Sequence, residues 1–275
     1  MALILLLRLY NGNMRIIAIS DTHGFHEDIR LPPHEEGDVL VHAGDITRRG
    51  ELSILNSFSE WLSKTPYEKI IIIAGNHDFC FEKEEHNISK DILENNSRHP
   101  GKIIYLQNES VVVDGIKFYG SPYQPRFNNW AFNVDRGRDI KKEWDKIPLD
   151  TDILITHGPA KEWVGGMLRE VVMGRQSVQD LGCEELIKKI KEVNPIYHIC
   201  GHIHDGYGIY RHDECDTVFC NASICTEAYE PTNGPFILPV NKENNNKQQK
   251  TKAMNESTEK TGKTLEKEHK KYNRK

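Results

Sequence analysis

The sequence contains no apolar run of the ~20 residues that a transmembrane helix needs. The short apolar run at residues 2–7 has no basic residue before it and no small-residue cleavage site after it, which argues against a signal peptide. The six cysteines form no C-x-x-C pair and show no zinc-finger spacing. We therefore expect free thiols in a reducing compartment, and a cytoplasmic protein.

Charge is distributed unevenly along the 275 residues. Residues 241–275 hold 11 Lys and Arg against 5 Asp and Glu, whereas residues 1–240 hold 25 basic and 36 acidic side chains. A segment as polar as residues 241–275 cannot bury enough apolar surface to fold. We predict a short extension at residues 1–13, one domain at residues 14–240 and a disordered basic tail at residues 241–275. The net charge of -11 before the tail argues against a nucleic-acid partner for the domain.

Five short apolar runs have the composition of strands that are buried on both faces. They cover residues 16–19, 39–43, 70–74, 153–156 and 196–200. Helical spacing of apolar residues predicts helices within residues 52–62, 139–146 and 181–193. Further strands are predicted at residues 103–106, 111–113, 116–119, 207–210 and 217–220. This alternation predicts an α/β domain with a layered sheet core.

Each of the five buried strands is followed directly by side chains that bind metals. The segments read D-T-H at residues 21–23, G-D at 44–45, G-N-H-D at 75–78, H-G at 157–158 and G-H-I-H at 201–204. Because the carboxyl ends of strands gather at one edge of an α/β sheet, these loops can converge. Gly44 and Gly75 allow a sharp turn and a close approach of the backbone. Mixed carboxylate, amide and imidazole donors suit Mn, Fe or Zn better than Ca or Mg.

This order of motifs resembles that of the calcineurin-like metallophosphoesterase superfamily, over nearly the whole of residues 14–240. The stretches at residues 127–130, 201–208 and 221–223 are similar, more specifically, to the metallophosphoesterase-domain-containing, UPF0046-like branch. The resemblance implies a four-layer α/β/β/α sandwich with a centre for two divalent metal ions. It also implies an enzyme, a metal-dependent phosphoric ester hydrolase.

The resemblance assigns a ligand role to seven residues. One metal would be bound by Asp21, His23 and His204. The second would be bound by Asn76, His157 and His202. Asp45 would bridge the two ions. Some members of the branch have Gly in place of the first His of G-H-x-H, but His202 is present here, so the set is complete.

Catalytic and substrate-binding roles are assigned to five more residues. His77 would lie over the phosphoryl oxygen or the leaving group and donate a proton to it, and Asp78 would orient His77. Asn128, Trp130 and Arg48 are candidate substrate contacts. Core packing is the alternative for Trp130, and a solvated helix start is the alternative for Arg48.

Together these assignments predict a dinuclear metal-dependent phosphodiesterase, with Mn as the favoured metal. It would hydrolyse small phosphodiesters, such as cyclic nucleotides, by direct attack of a metal-bridging hydroxide. A phosphomonoesterase or protein phosphatase is one alternative, and a non-catalytic nucleotide-binding regulator on the same fold is another. The expected partner is a small phosphoester, with nucleotides as one class, and no membrane.

Overall fold

The computed structural model describes residues 13–82, 86–95, 101–161, 167–172, 175–212 and 214–241. Residues Met14–Pro239 form one compact unit. Most of the predicted extension and nearly all of the predicted tail lie outside the described residues, so both stay predictions. Among the described helices, none has the length and apolar character needed to cross a bilayer.

The described residues form strands and four α-helices, numbered here in chain order. The strands of the first half are β1 (Asn13–Ile19), β2 (Val39–Ala43), β3 (Lys69–Ile73), β4 (Ile103–Tyr105), β5 (Glu109–Val113), β6 (Ile116–Ser121), β7 (Gln124–Pro125) and β8 (Asn133–Val134). Those of the second half are β9 (Ile153–Thr156), β10 (Met167–Val172), β11 (Arg175–Asp180), β12 (Tyr197–Cys200), β13 (Gly208–His212), β14 (Cys215–Asn221) and β15 (Phe236–Asn241). The helices are α1 (Leu52–Lys64), α2 (His86–Asn95), α3 (Arg138–Trp144) and α4 (Glu184–Val193).

The first large sheet has the strand order β15-β1-β2-β3-β4. Its strands β1 to β4 pair in parallel, with Ile17 opposite Leu40 and Leu40 opposite Ile70. These side chains are fully buried. Uninterrupted apolar sequence is therefore what such strands require, because both faces of the sheet are covered.

The second large sheet has the strand order β13-β14-β12-β9-β6-β5. Its four central strands are parallel, and the two edge strands pair with their neighbours in antiparallel fashion. Strands β5 and β6 are joined through Asp114 and Gly115, both at positive φ (50° and 80°), as a two-residue hairpin turn requires. The hairpins predicted from the sequence are thereby confirmed.

Each sheet has its own helices on one face. Helices α1 and α2 pack Leu55, Phe58 and Leu93 against the first sheet in one hydrophobic cluster. Helices α3 and α4 pack Trp144 and Ile190 against the second sheet in another. The predicted α/β/β/α layering is confirmed by this arrangement of two helix-covered sheets.

Gly120 on β6 packs closely against Ile73 at the end of β3 and against Leu106 after β4. A Cβ atom at this position would lie 2.6 Å from Ile73 Cγ2 and 2.6 Å from Leu106 Cβ. We expect Gly120→Ala to lower the free energy of unfolding by about 1–3 kcal/mol through overpacking. Urea unfolding should show this loss, and Gly234→Ala is the control because no atom lies within 4 Å of its added Cβ. Equal midpoints for the two variants would contradict the close packing.

Some elements depart from the sequence prediction. Helix α2 was not predicted, because its apolar residues are few and Ile88 among them is 54% exposed. The antiparallel hairpin of β10 and β11 was also missed. Leu181, which was predicted to belong to α4, precedes that helix, which begins at Glu184. These segments lack the uninterrupted apolar run that identified the buried strands.

Candidate metal centre

The loops after β1, β2, β3, β9 and β12 meet where the two sheets approach each other. The amide of Asp21 donates to the carbonyl of Gly44 at 2.9 Å, which joins the first two loops. The amide of His202, from the second sheet, donates to both carboxylate oxygens of Asp21 at 3.1 and 3.0 Å. The structure thus brings together all five motifs that the sequence placed at strand ends.

Backbone strain is concentrated on the predicted ligands. Asp21, His23, Asp45 and His202 have φ values of 51°, 44°, 59° and 69°. Non-glycine residues adopt this left-handed region uncommonly, and they keep it where the surrounding structure imposes it. The turns aim these four side chains into one small volume.

Two glycines allow the ligand loops to come this close. A Cβ on Gly75 would lie 2.5 Å from the Asp45 nitrogen and 2.6 Å from His157 Cε1. A Cβ on Gly201 would overlap Asp21 Oδ2 and Ser20 Oγ. Any side chain at either position would displace an Asp that the sequence assigns to a metal.

One group of ligand atoms consists of Asp21, His23 and His204, all of them buried. His204 Nε2 lies 3.4 Å from Asp21 Oδ1, and His23 Nε2 lies 3.4 Å from His204 Nε2. The three ligand atoms are within 4.8 Å of one another. This is the group that the sequence predicted for one of the two metals.

A second group surrounds Asp45, the predicted bridge. Asp45 Oδ2 lies 3.3 Å from His157 Nε2 and 3.8 Å from His23 Nε2. His202 completes the group of Asp45 and His157, and Asn76 Oδ1 lies 2.9 Å from His157 Nε2. Asp45 therefore stands between the two groups, where a bridging carboxylate would be needed.

The orientation of the imidazoles fits a metal site. The Nδ1 atoms of His23, His157 and His204 lie 3.2, 2.9 and 2.9 Å from the backbone carbonyls of Thr47, Ala43 and Thr226. These carbonyls accept a hydrogen bond from Nδ1–H, which leaves Nε2 as the atom that faces the carboxylates. Histidines that bind metals are held in this way. The donor set and its orientation therefore fit two divalent cations.

The charges of the buried carboxylates are stabilised by their neighbours. Burial by itself would raise the pKa of Asp21, but the hydrogen bond and charge of His204 lower it well below the ordinary value. Burial would lower the pKa of His204 and His157, but Asp21 and Asp45 raise each to about 9. Burial lowers the pKa of His202 to about 3. The site thus favours positive charge beside Asp21 and Asp45.

Two residues of the branch-like stretch at 221–223 contact the ligand loops. They are Ser223 and Asn221. Ser223 Oγ lies 2.9 Å from Asp21 Oδ2 and 2.8 Å from Asn221 Oδ1. The side-chain Nδ2 of Asn221 donates to the backbone carbonyl of Ile203 at 2.8 Å, inside the G-H-I-H loop. These contacts hold the first and last ligand loops together.

We expect Ser223→Ala to weaken metal binding by about 10- to 100-fold, because Asp21 loses a partner that orients it. Titration of the metal-free protein with Mn²⁺, followed by calorimetry, measures the change. Ser53→Ala, at an exposed position of α1, is the control. Equal affinities for the two variants would show that Ser223 does not support the site.

His77 lies at the mouth of this centre and is held at three points. Its amide donates to Asp45 Oδ1 at 2.8 Å, and its Nδ1 lies 2.7 Å from the carbonyl of Arg48. Its ring stacks on Trp130, with centroids 4.1 Å apart and planes at 26°. Its Nε2 is 3.9 Å from Asp45 Oδ2. Trp130 is half-buried against His77, and its role as a substrate contact stays a prediction.

Asp78 does not take the predicted place beside the His77 ring. Its buried carboxylate accepts hydrogen bonds from the amides of Ile46, Thr47 and Gly75 at 3.2, 2.8 and 2.8 Å. The carbonyl of Arg48, rather than Asp78, orients His77. Asp78 holds the loops after β2 and β3 together, and burial followed by the charge of Asp45 raises its pKa to about 6.

The other two predicted substrate contacts are placed differently. The Arg48 guanidinium donates from Nε to the carbonyl of His23 at 3.1 Å and lies over the Phe25 ring. Asn128 is exposed, has a φ of 48° and accepts from Asn133 through its carbonyl at 3.0 Å. The substrate roles of both residues stay predictions.

A cavity of about 440 Å³ opens beside the centre, and its lining includes residues that the sequence analysis did not select. Tyr229 places its ring 4.8 Å from His23 and 5.5 Å from His204, edge to face. Phe127, Arg126 and Arg136 also line the cavity. These residues lie in loops, where no periodicity marks a function; the only signal was that Phe127 begins a branch-like stretch.

Known proteins resemble this chain along most of its length. The sequence model of the calcineurin-like phosphoesterase family matches residues 14–206. Over 248 residues the chain is 38% identical to metallophosphoesterase domain-containing protein 1 of Homo sapiens. This alignment covers 83% of the present chain and 72% of the human protein. The chain is 34% identical over 258 residues to a UPF0046 protein of Caenorhabditis elegans. That alignment covers 83% of this chain and 60% of the Caenorhabditis elegans protein. Phosphopantetheinyl hydrolase of Mycobacterium tuberculosis has a similar fold, with a TM-score of 0.54 and 14% sequence identity. The superposition covers 84% of this chain and 96% of the hydrolase.

The fold and the site define a metal-dependent phosphoric ester hydrolase. The protein belongs to the calcineurin-like phosphoesterase family, whose members use a dinuclear divalent metal site. The resemblance drawn from the five motifs is thereby confirmed.

Proposed function

We propose that this enzyme is a phosphodiesterase that hydrolyses small phosphodiesters. The observation that carries the proposal is the convergence of imidazole Nε2 atoms on Asp21 and Asp45, with His77 beside them at the opening of a cavity. Mn is the favoured metal because the donors mix carboxylate and amide oxygens with imidazole nitrogens. A cytoplasmic location is part of the proposal, supported by six free cysteines.

Two bound cations supply an activated water and neutralise charge that develops in an in-line displacement at phosphorus. His77 contributes the proton donor. Since Nδ1 is engaged by the Arg48 carbonyl, Nε2 is the atom left to donate to the departing oxygen. The stacked Trp130 limits rotation of the His77 ring, so the donor keeps its direction.

The charges around the metal end favour a diester over a monoester. Among the described residues that line this end, namely Asn76, His77, His202, His204 and Tyr229, none is Lys or Arg. Glu227 lines the same end and lies close enough to contribute to the raised pKa of His204. A dianionic monoester would meet more repulsion there than a monoanionic diester.

A panel of phosphoesters with the Mn²⁺-loaded protein tests the proposal. We expect turnover of bis-p-nitrophenyl phosphate to exceed that of p-nitrophenyl phosphate. 3′,5′-cyclic nucleotides are included because the branch resemblance suggests nucleotides. Faster hydrolysis of the monoester would support the phosphomonoesterase alternative instead. Inactivity on every compound, with both metals bound, would support the nucleotide-binding regulator.

A further inference from the structure

The cavity has a second charged end, away from the metal ligands. We propose that this end binds a second anionic group of the substrate, so that the preferred substrate is a phosphoester with a phosphate or carboxylate joined to it through an apolar spacer. The inference rests on the proposed function, because it places the reacting phosphoryl group at Asp45 and His77.

Arg126 and Arg136 supply the positive charge of the second end. Arg126 donates from Nε to Asp135 Oδ1 at 2.5 Å, and 54% of its side chain remains exposed. A guanidinium has five N–H donors. Arg126 can therefore keep its bond to Asp135 and still offer donors to a ligand in the cavity.

Arg136 is held more firmly. It donates to the carbonyls of Leu181 and Gly182 at 2.8 and 2.9 Å, and to Glu184 at 2.7 Å. Its side chain is nevertheless 43% exposed and lines the cavity. These contacts fix a charged group in place before any ligand arrives, which reduces the entropy cost of binding an anion.

The wall between the two ends is apolar. It is formed by Pro125, Phe127, Pro159 and Leu181. Phe127 is 52% exposed, and its ring centroid lies 6.2 Å from that of His202. Because Phe127 follows Arg126 in the chain and approaches a predicted metal ligand, it spans the distance from one end to the other. An exposed phenyl ring at this place fits an apolar spacer.

Glu227 does not neutralise the arginine end. Its carboxylate accepts from the amide of Asp205 at 3.3 Å, beside His204 at the metal end. The carboxylates that do face the arginines are Asp135 and Glu184, and both are exposed. The cavity therefore changes from an end formed by predicted metal ligands and Glu227 to an end formed by two arginines, whose carboxylate partners lie at the surface.

Non-hydrolysable α,ω-alkanediphosphonates of increasing chain length, each paired with the alkylphosphonate of equal length, test the inference. Calorimetry with the Mn²⁺-loaded protein measures both affinities. We expect the second phosphonate to improve binding at one range of chain lengths, by about tenfold, as a charge-assisted hydrogen bond contributes. Arg126→Gln should reduce this gain, because one of the two arginines is lost, and leave alkylphosphonate binding unchanged. Asp135→Asn should increase the gain, because it releases Arg126 from its carboxylate.

Arg138→Gln is the matched control, since Arg138 has an 88% exposed side chain on α3 and does not line the cavity. Equal affinities for diphosphonate and alkylphosphonate at all lengths would overturn the inference, and so would a gain that Arg126→Gln leaves undiminished. Calorimetry gives these results whether or not bis-p-nitrophenyl phosphate is hydrolysed. The turnover assay tests the proposed function. The calorimetric comparison tests whether Arg126 and Arg136 bind a second anionic group, so the two can fail independently.

Discussion

An Asp45→Asn variant is expected to lose both its bound metals and its turnover. Asp45 Oδ2 lies within 3.8 Å of imidazoles from both ligand groups, so its charge acts on both cations. We expect turnover to fall by more than about 10³-fold, because loss of even an outer-shell partner typically costs about 10- to 100-fold. Metal content after gel filtration and turnover of bis-p-nitrophenyl phosphate measure the two effects.

The control for Asp45→Asn is Asp152→Asn. Asp152 is also buried, and its carboxylate accepts from the amide of Lys117 at 2.8 Å, at the opposite end of β9 from His157. Asn keeps an oxygen that can accept this bond. If Asp45→Asn retained both metals and normal turnover while Asp152→Asn did the same, Asp45 would not be the bridge.

A His77→Ala variant is expected to keep its metals and lose turnover by about 10²- to 10⁴-fold, the usual contribution of a general acid. Alanine retains the backbone amide that donates to Asp45, so the geometry of the bridge is preserved. The loss should grow with the pKa of the leaving phenol in a series of aryl phosphodiesters, because a poor leaving group depends more on protonation. Steady-state rates across the series, with metal analysis of each preparation, provide the measurement.

The result for His77 also separates two readings of the structure. His77 Nε2 forms a group with His23 and Asp45 whose ligand atoms lie within 4.8 Å of one another. If His77 were a metal ligand, His77→Ala would lower the metal content and slow all leaving groups equally. His34→Ala, at an exposed histidine, is the control and should change neither quantity.

The buried strands were predictable because their burial imposes a composition. The sequence prediction for residues 153–156 matches β9, and that for residues 39–43 matches β2. Both strands are covered on two faces, and their two polar residues are buried and bonded: His42 to Thr22, and Thr156 to His198. Edge and loop elements such as α2 and the β10–β11 hairpin face no such requirement, and their sequences carried no comparable signal.

The role of a residue within the site was less predictable than its presence there. The adjacency of His77 and Asp78 in sequence suggested a pair. In the fold, Asp78 is drawn toward the amides of Ile46, Thr47 and Gly75, which need an acceptor once they are buried. Trp130 was predicted as a substrate contact, with core packing as the alternative, and its stacking on His77 was not foreseen from the sequence.

The sequence by itself identified the family and the layered α/β fold and assigned a set of candidate metal ligands, because short local patterns at strand ends carry the resemblance. Only the tertiary structure decided which groups face each other: Asp78 against backbone amides, Trp130 against His77, and two arginines in the wall of the same cavity as His77. The physical reason is that strand burial constrains local composition, whereas the walls of the cavity are assembled from loops that are distant in sequence. Packing determines which loop residues contact each other, and such contacts produce no periodic pattern in the sequence.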